Sequence, residues 1–286
     1  GFSGLGLLLE PSALAALEEP YIYHFPDGNA SIARLLVRRL LPKVAAGSSM
    51  EDVVTARFDP AQLEQNAALT QLRLRSTVVA ISGDRASQLD VGYVRAGALQ
   101  RVAAGAVVAA GYHSMLPYIM PELEPSQRAA LRDCIRAPLV YAKVALRNWQ
   151  PWAALGVHEV TNPMGFFSRI KLDYPVSMGG YQCARSPAEP IGLHLVHVPT
   201  PANASDQRTA WRAGRQILLG TPYSVFEAHI FDELTRLLGP AGFVARRDIA
   251  AIHIYRWGHG YACAPNSLFD AARSPELAQL ARQRAG

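Results

Sequence analysis

The residues whose types and spacing suit chemistry gather near the end of the chain, in Arg256-Trp257-Gly258-His259-Gly260-Tyr261. Glycines there let backbone approach a planar ligand, while Trp257 and Tyr261 offer faces that stack against it. The plainer reading is an aromatic strand end that fills core. Lys143, within YAKVALRNW, is a lysine among apolar strand residues. Turned inward, its amine is a depressed-pKa base or holds a water; turned outward, it is a solvated lysine. His194 and His197 lie three apart in an expected strand, which sends their side chains to opposite faces and disfavours a shared metal. GLG at Gly4 to Gly6 supplies two glycines of GxGxxG, but Leu9 takes the third position and no strand precedes it. The chain has no GxSxG, HExxH or P-loop sequence.

The elements that position these residues are legible in the patterning. In YIYHFPDGNASIARLLVRRLLP, Pro26, Asp27 and Gly28 are turn chemistry, and Asn29 or Ser31 caps a helix that starts near Ala30 and stops by Pro42. Ile32, Leu35, Leu36, Arg39 and Leu40 trace one face of that helix. A three-stranded meander follows, over roughly Leu72 to Ile81, Gln88 to Arg95 and Ala98 to Ala103. The continuously apolar run Ala106 to Ala110 reads as a strand buried on both faces and entering a parallel sheet. Further on come a helix over Ser126 to Ile135 and strands over Leu139 to Arg147, Gly165 to Asp173 and Ile191 to Pro199. Helices over Ala210 to Leu219 and Ser224 to Leu238 lead to a strand over Ile249 to Arg256. Interleaved strands and helices place the chain in the α/β to α+β class.

Composition narrows the function classes. With 286 residues, 50% of them hydrophobic, the chain can bury a large core as one large or two small domains. The net charge of +5 is spread without a basic run longer than two residues, which argues against a nucleic-acid partner. Cys134, Cys183 and Cys263, with no CxxC, read as buried thiols, the alternative being one disulfide plus one free thiol. No window approaches the roughly 18 apolar residues of a membrane helix, so no membrane span is expected. The chain opens without an initiator Met and closes in a polar, Arg-rich tail, as expected of part of a longer protein.

Five segments together carry a resemblance that runs from Gly1 to about Asp270: EPYIYHFPDGNASIARLLVRRLLP, RLRSTVVAI, APLVYAKVALRNW, DYPVSMGGYQCARSPAEPIGLHLVH and IYRWGHGYACAPNSLFD. In content and order they resemble bacterial flavoprotein oxidoreductases of the spermidine dehydrogenase type, within the flavin amine oxidase group. That resemblance implies an FAD enzyme, periplasmic or cytoplasmic, that moves hydride from an amine carbon to the flavin and passes electrons to an acceptor. It implies a mixed-sheet substrate domain over residues 113–248, between Rossmann-like FAD-binding portions at 1–112 (with the meander) and 249–286. Trp257 and Tyr261, with His259 between them, resemble the aromatic pair that flanks flavin and amine. Val78, or its neighbour Val79, resembles the strand valine whose backbone reads the adenine. Gly28, Gly111 and Gly260 resemble glycines near the cofactor. Glu122, Glu124, Glu159 and Asp173 are the candidates to anchor a distal ammonium. The chain departs from the pattern in lacking the N-terminal GxGxxG and the C-terminal phosphate-facing segment, and in placing Lys143 where the family often has a neutral residue. A cofactor-free binding module, or a flavoprotein acting on a non-amine substrate such as an alkene, are the alternatives.

Overall fold

Alternating burial along LVYAKVAL, with Val140, Ala142, Val144 and Leu146 inside and Tyr141, Lys143 and Ala145 outside, shows how the fold is organised. A computed structural model describes residues 24–65, 69–83, 88–201, 203–261 and 275–282. The apolar run Leu5 to Leu17, the glycines at Gly4 to Gly6 and Cys263 lie outside the described residues. Contacts divide the chain into two compact units, Gly1–Leu72 with Tyr174–Cys183, and Arg73–Asp173 with Ala184–Gly286.

In the first unit, Gly28 at φ +69° closes a turn by donating its N–H to the Phe25 carbonyl (2.9 Å), a backbone state that favours glycine. Helix α1, Ala30–Leu40, follows, and Pro42 opens a short 3-10 turn beyond it. The Ser31 hydroxyl donates to Asp27 (2.6 Å), while Asn29 makes no side-chain cap. The helix buries Ser31 and Arg38, not the apolar stripe: Ile32, Leu36 and Leu40 are exposed. The reason is polar. The Arg38 guanidinium donates to the Ala46 and Ser49 carbonyls and to Asp52, and so draws its own face inward. Amide donation from Ser49, then Arg38 and the Ser48 amide, holds the Asp52 carboxyl far below the usual range. Leu41, Val44 and Ala45 form a small core beside Val37 and Phe58.

The second unit contains both sheets, and every strand pairing in them is antiparallel. Strands β1 (Ser76–Ser82), β2 (Leu89–Arg95) and β3 (Ala98–Ala104) form the expected meander. Ala96 (φ +49°) and Gly97 (φ +78°) make the two-residue turn between β2 and β3, with the double positive φ that matches strand twist. The run Ala106 to Ala110 departs from expectation: it is irregular chain, with Val108 exposed. A strand buried on both faces needs a ladder partner on each side, and the described residues supply neither.

The larger sheet has the order β5 (Glu159–Thr161), β6 (Arg169–Leu172), β7 (Ile191–His197), β4 (Leu139–Leu146), β8 (Ile249–Trp257). Before its first strand come α2 (Leu116–Ile119) and α3 (Pro125–Arg132); between its strands run α4 (Gln150–Leu155), α5 (Gln207–Gly220), α6 (Tyr223–Leu238) and α7 (Ala245–Asp248), and α8 (Pro275–Arg282) comes last among the described residues. One sheet face is the core. Ala142, Val144, Leu146, Ile170, Leu193 and Leu195 cluster with Ile230, Leu234 and Leu238 of α6, whose three- and four-residue spacing makes one apolar stripe. Each such large side chain, fully buried, contributes roughly 1.5–3 kcal/mol. A buried carboxylate fixes the loop before β6: Glu233 of α6 accepts from the Phe166 (2.5 Å) and Phe167 (3.2 Å) amides. The Phe166 ring is thereby held stacked against both His197 and His229, with centroids 3.9 Å apart in each case. Cys134 and Cys183 are free, half-buried thiols.

Candidate functional site

The other face of the five-stranded sheet is polar and aromatic, because strand residues alternate between faces. Register aligns one residue from every strand in a single row: Glu159 opposite Lys171, Lys171 opposite His194, His194 opposite Lys143, and Lys143 opposite His253. The next row on this face pairs Tyr141 with Tyr255, and the row beyond pairs Leu139 with Trp257. The face thus grades from charge at β5 and β6 to exposed aromatic surface at the end of β8, where Tyr255 and Trp257 are open to solvent.

The charges on this face are balanced by contact. Lys143 Nζ donates to Asp173 Oδ1 at 2.5 Å, and Arg169 Nε to Glu159 Oε1 at 2.5 Å. The bond from Arg169 lowers the Glu159 carboxyl against the opposing effect of burial. Asp173 reaches Lys143 across Gly192, whose own Cβ, if present, would overlap the Asp173 carboxylate. His194 lies between Lys171 and Lys143, its ring 4.6 Å from that of Tyr141 and edge-on to it. Burial, reinforced by Lys143 and Lys171, lowers the imidazole to about 4 despite the nearby Asp173. His194 is therefore neutral at physiological pH, and its buried Nδ1 has no hydrogen-bond partner.

The last residues of the expected site arrive by a turn after β8. Gly260 donates its N–H to the Ala137 carbonyl (2.8 Å), and Ala137 donates its own to the Tyr261 carbonyl (3.0 Å). This returns Tyr261 over β4, where its hydroxyl sits 3.0 Å from that of Tyr141. Burial, together with that bond, raises the Tyr141 phenol, so it stays protonated. Gly260 is required by packing against its own chain: a Cβ there would lie 2.7 Å from Leu139 Cβ and 2.9 Å from the Ala137 carbonyl oxygen. His259 goes elsewhere. Its ring lies 4.7 Å from that of Tyr112, and with Gly258 it lines a separate cavity.

The remaining expected positions lie on other elements. Val78 and Val79 are exposed on β1, at a register shift between Val78 and Ala80, in a sheet that shares no strand pairing with the larger one. Gly111 is in irregular chain, Gly28 is in the first unit, and a Cβ at either would meet nothing within 4 Å. Of the four candidate carboxylates, Glu159 and Asp173 reach the polar face, whereas Glu122 accepts from the Gly83 amide (3.4 Å) and Glu124 precedes α3. Tyr141, His194 and Tyr255 complete the face and were not singled out from sequence as a site. The signal for them is period-two alternation, which places Tyr141 with Lys143 in LVYAKVAL, Tyr255 with His253 and Trp257 in IHIYRW, and His194 between apolar neighbours in IGLHLVH. No group of three or more His, Cys, Asp or Glu side chains suited to a metal ion occurs among the described residues. Likewise, none of the described helices is long and apolar enough to cross a membrane.

Comparison with known proteins gives a partial match only. No protein-family model matches the chain, and no curated protein sequence matches it. Among solved structures, wild-type putrescine oxidase bound to putrescine is similar at a TM-score of 0.42 and 14% identity, over 65% of this chain and 36% of that chain. A triple mutant from a redesign of cofactor binding in putrescine oxidase is similar at 0.41 and 14%, over 63% of this chain and 33% of that one. The chain spans about a third of the length of these solved structures.

Proposed function

We propose that this chain supplies the substrate-side wall of a flavin-dependent oxidoreductase that oxidises the carbon beside an amine nitrogen. The observation that carries the reading is the aromatic end of the open sheet face, where Tyr141 and Tyr261 meet hydroxyl to hydroxyl next to exposed Tyr255 and Trp257. The order of sequence motifs described above points the same way.

The wall has three tasks. Aromatic faces pack on the alkyl part of an amine and attract positive charge that develops on it. The two phenols exchange hydrogen bonds with an uncharged amine, and Tyr141, kept protonated, does not remove its proton. His194, kept neutral behind Tyr141, adds no positive charge to the face. FAD, when bound, accepts the hydride. The described residues fit the ring side of such a cofactor, as flat aromatic surface open to solvent. Its nucleotide side is not met by the same surface: Val78 and Val79 lie on β1 of the smaller sheet, Gly111 lies in irregular chain, and no glycine-rich phosphate loop occurs among the described residues.

A second reading concerns the substrate. Both carboxylates on the face are engaged, Glu159 by Arg169 and Asp173 by Lys143, which leaves neither free for the distal ammonium of a polyamine. That favours a monoamine or an uncharged substrate over spermidine. The test is anaerobic bleaching of the flavin in the complete gene product by spermidine, a hydrophobic monoamine and an isoprenoid alkene in parallel. Bleaching by an amine supports the reading, with the spermidine-to-monoamine ratio deciding the anchor, while bleaching by the alkene alone overturns it.

A further inference from the structure

On the far side of the turn that carries Tyr261, His259 enters a cavity of about 420 Å³ that the flavin reading does not use. Four arginines, Arg132, Arg136, Arg212 and Arg215, line it, and no acidic residue does. This volume falls within the range of roughly 300–1,000 Å³ for small-molecule pockets. Four guanidinium groups around one space repel one another unless an opposite charge is present. Solvated surface arginines are the ordinary explanation of such a cluster, and Arg132 and Arg212 taken alone satisfy it, since both are exposed.

Three other lining groups do not. Arg215 Nε, His259 Nε2 and Ser114 Oγ are each buried from solvent and have no hydrogen-bond partner. A buried polar atom without a partner is destabilising, so three of them on one cavity wall are a shared demand for a ligand that hydrogen-bonds. The sequence also makes room for the cation. Gly258 lies against Arg215, and a Cβ there would stand 3.2 Å from Arg215 Nε, tight enough to displace the guanidinium. Two of the other arginines are braced by aromatic rings: Arg132 lies over Tyr118 and Arg136 over Tyr112, each 5.6 Å from the ring centroid. Burial, then Arg215 and Arg136, lowers the His259 imidazole, which leaves it neutral and able to donate one hydrogen bond.

We propose that this cavity, formed by α3, α5 and the Gly258-His259 turn, binds a small phosphate-bearing ligand through Arg132, Arg136, Arg212, Arg215, Ser114 and His259. Phosphate suits the site better than a single carboxylate. It carries up to two negative charges and several acceptor oxygens, and arginine forks bind it in bidentate fashion. Two sources share that chemistry, a free phosphate ester and the pyrophosphate of a dinucleotide. The proposal does not rest on the flavin reading.

The test is calorimetric titration of the protein with inorganic phosphate and with pyrophosphate at low ionic strength, repeated after addition of FAD. Saturable binding of either anion is expected, weakened about 10- to 100-fold by Arg136→Gln or Arg212→Gln, the range for losing a hydrogen bond to a charged group. Ser114→Ala removes a partner without changing charge and is expected to weaken binding as well, which diffuse attraction does not predict. Arg236→Gln, on the surface of α6 where Arg236 pairs with Asp232, is the control and is expected to bind as the wild type does. Circular dichroism verifies that each variant is folded. Displacement of phosphate by FAD assigns the site to the dinucleotide; failure of FAD to displace it assigns a separate phosphate ligand. Absence of saturable binding by the folded wild type, or equal weakening in Arg236→Gln and Arg136→Gln, overturns the proposal.

Discussion

Replacing His194 with glutamine tests the electrostatics of the polar face most sharply, because the direction and pH window of the effect both follow from its neighbours. Burial and the flanking Lys143 and Lys171 lower this imidazole from 6.5 to about 4 in the folded chain. In the unfolded chain it regains the ordinary value. Between these limits the unfolded state binds the proton and the folded state does not, so stability falls as pH drops through 6.5 towards 4 and levels off below that. A depression of this size is worth at most about 3 kcal/mol. His194 is half-buried, and screening reduces the expected loss to about 1–2 kcal/mol. Urea denaturation of wild type and His194→Gln, from about pH 7.5 to about pH 4.5, cancels the carboxylate titrations common to both. The difference between the two curves should be flat above about pH 7 and should shift in favour of the variant on acidification. Lys143→Met should raise the His194 value as followed by NMR. A variant that loses stability with acid as steeply as the wild type would refute this account of the row.

Other substitutions probe the scaffold. Glu233→Ala leaves the buried Phe166 and Phe167 amides without an acceptor and should cost about 2–4 kcal/mol in denaturant unfolding, with loss of near-ultraviolet signal from the stacked Phe166. Glu233→Gln, which keeps one acceptor oxygen, should cost less. Gly260→Ala places a methyl group against Leu139 and the Ala137 carbonyl, and should cost about 1–3 kcal/mol while separating Tyr261 from Tyr141. Unchanged stability in Gly260→Ala would show that the turn relaxes freely.

Much of the fold was legible because its elements are locally consistent. The α/β to α+β class, the meander and the strand LVYAKVAL follow from period-two alternation and turn residues. Two features were not legible, for physical reasons. The run Ala106 to Ala110 has the composition of a buried strand, but composition does not specify a ladder partner. The stripe Ile32, Leu36 and Leu40 has helical spacing, but the Arg38 network turns the opposite side inward. The candidate site was half legible: Trp257 and Tyr261 were visible as aromatic residues among glycines, and His194 and His197 were correctly assigned to opposite sheet faces. What sequence does not reveal is register, which set His194 between two lysines and brought Tyr141 beside Tyr261 from 120 residues away. The turn after β8 separates His259 from Tyr261, although only Gly260 lies between them.

The most direct test of the central claim is stopped-flow reduction of the flavin in the complete gene product by a primary amine under anaerobic conditions, comparing wild type with Tyr261→Phe and Trp257→Ala. The account predicts amine-dependent bleaching of the flavin in the wild type, slowed roughly 10- to 100-fold when either wall residue is lost. A gene product without flavin, or bleaching at wild-type rates in both variants, would contradict it.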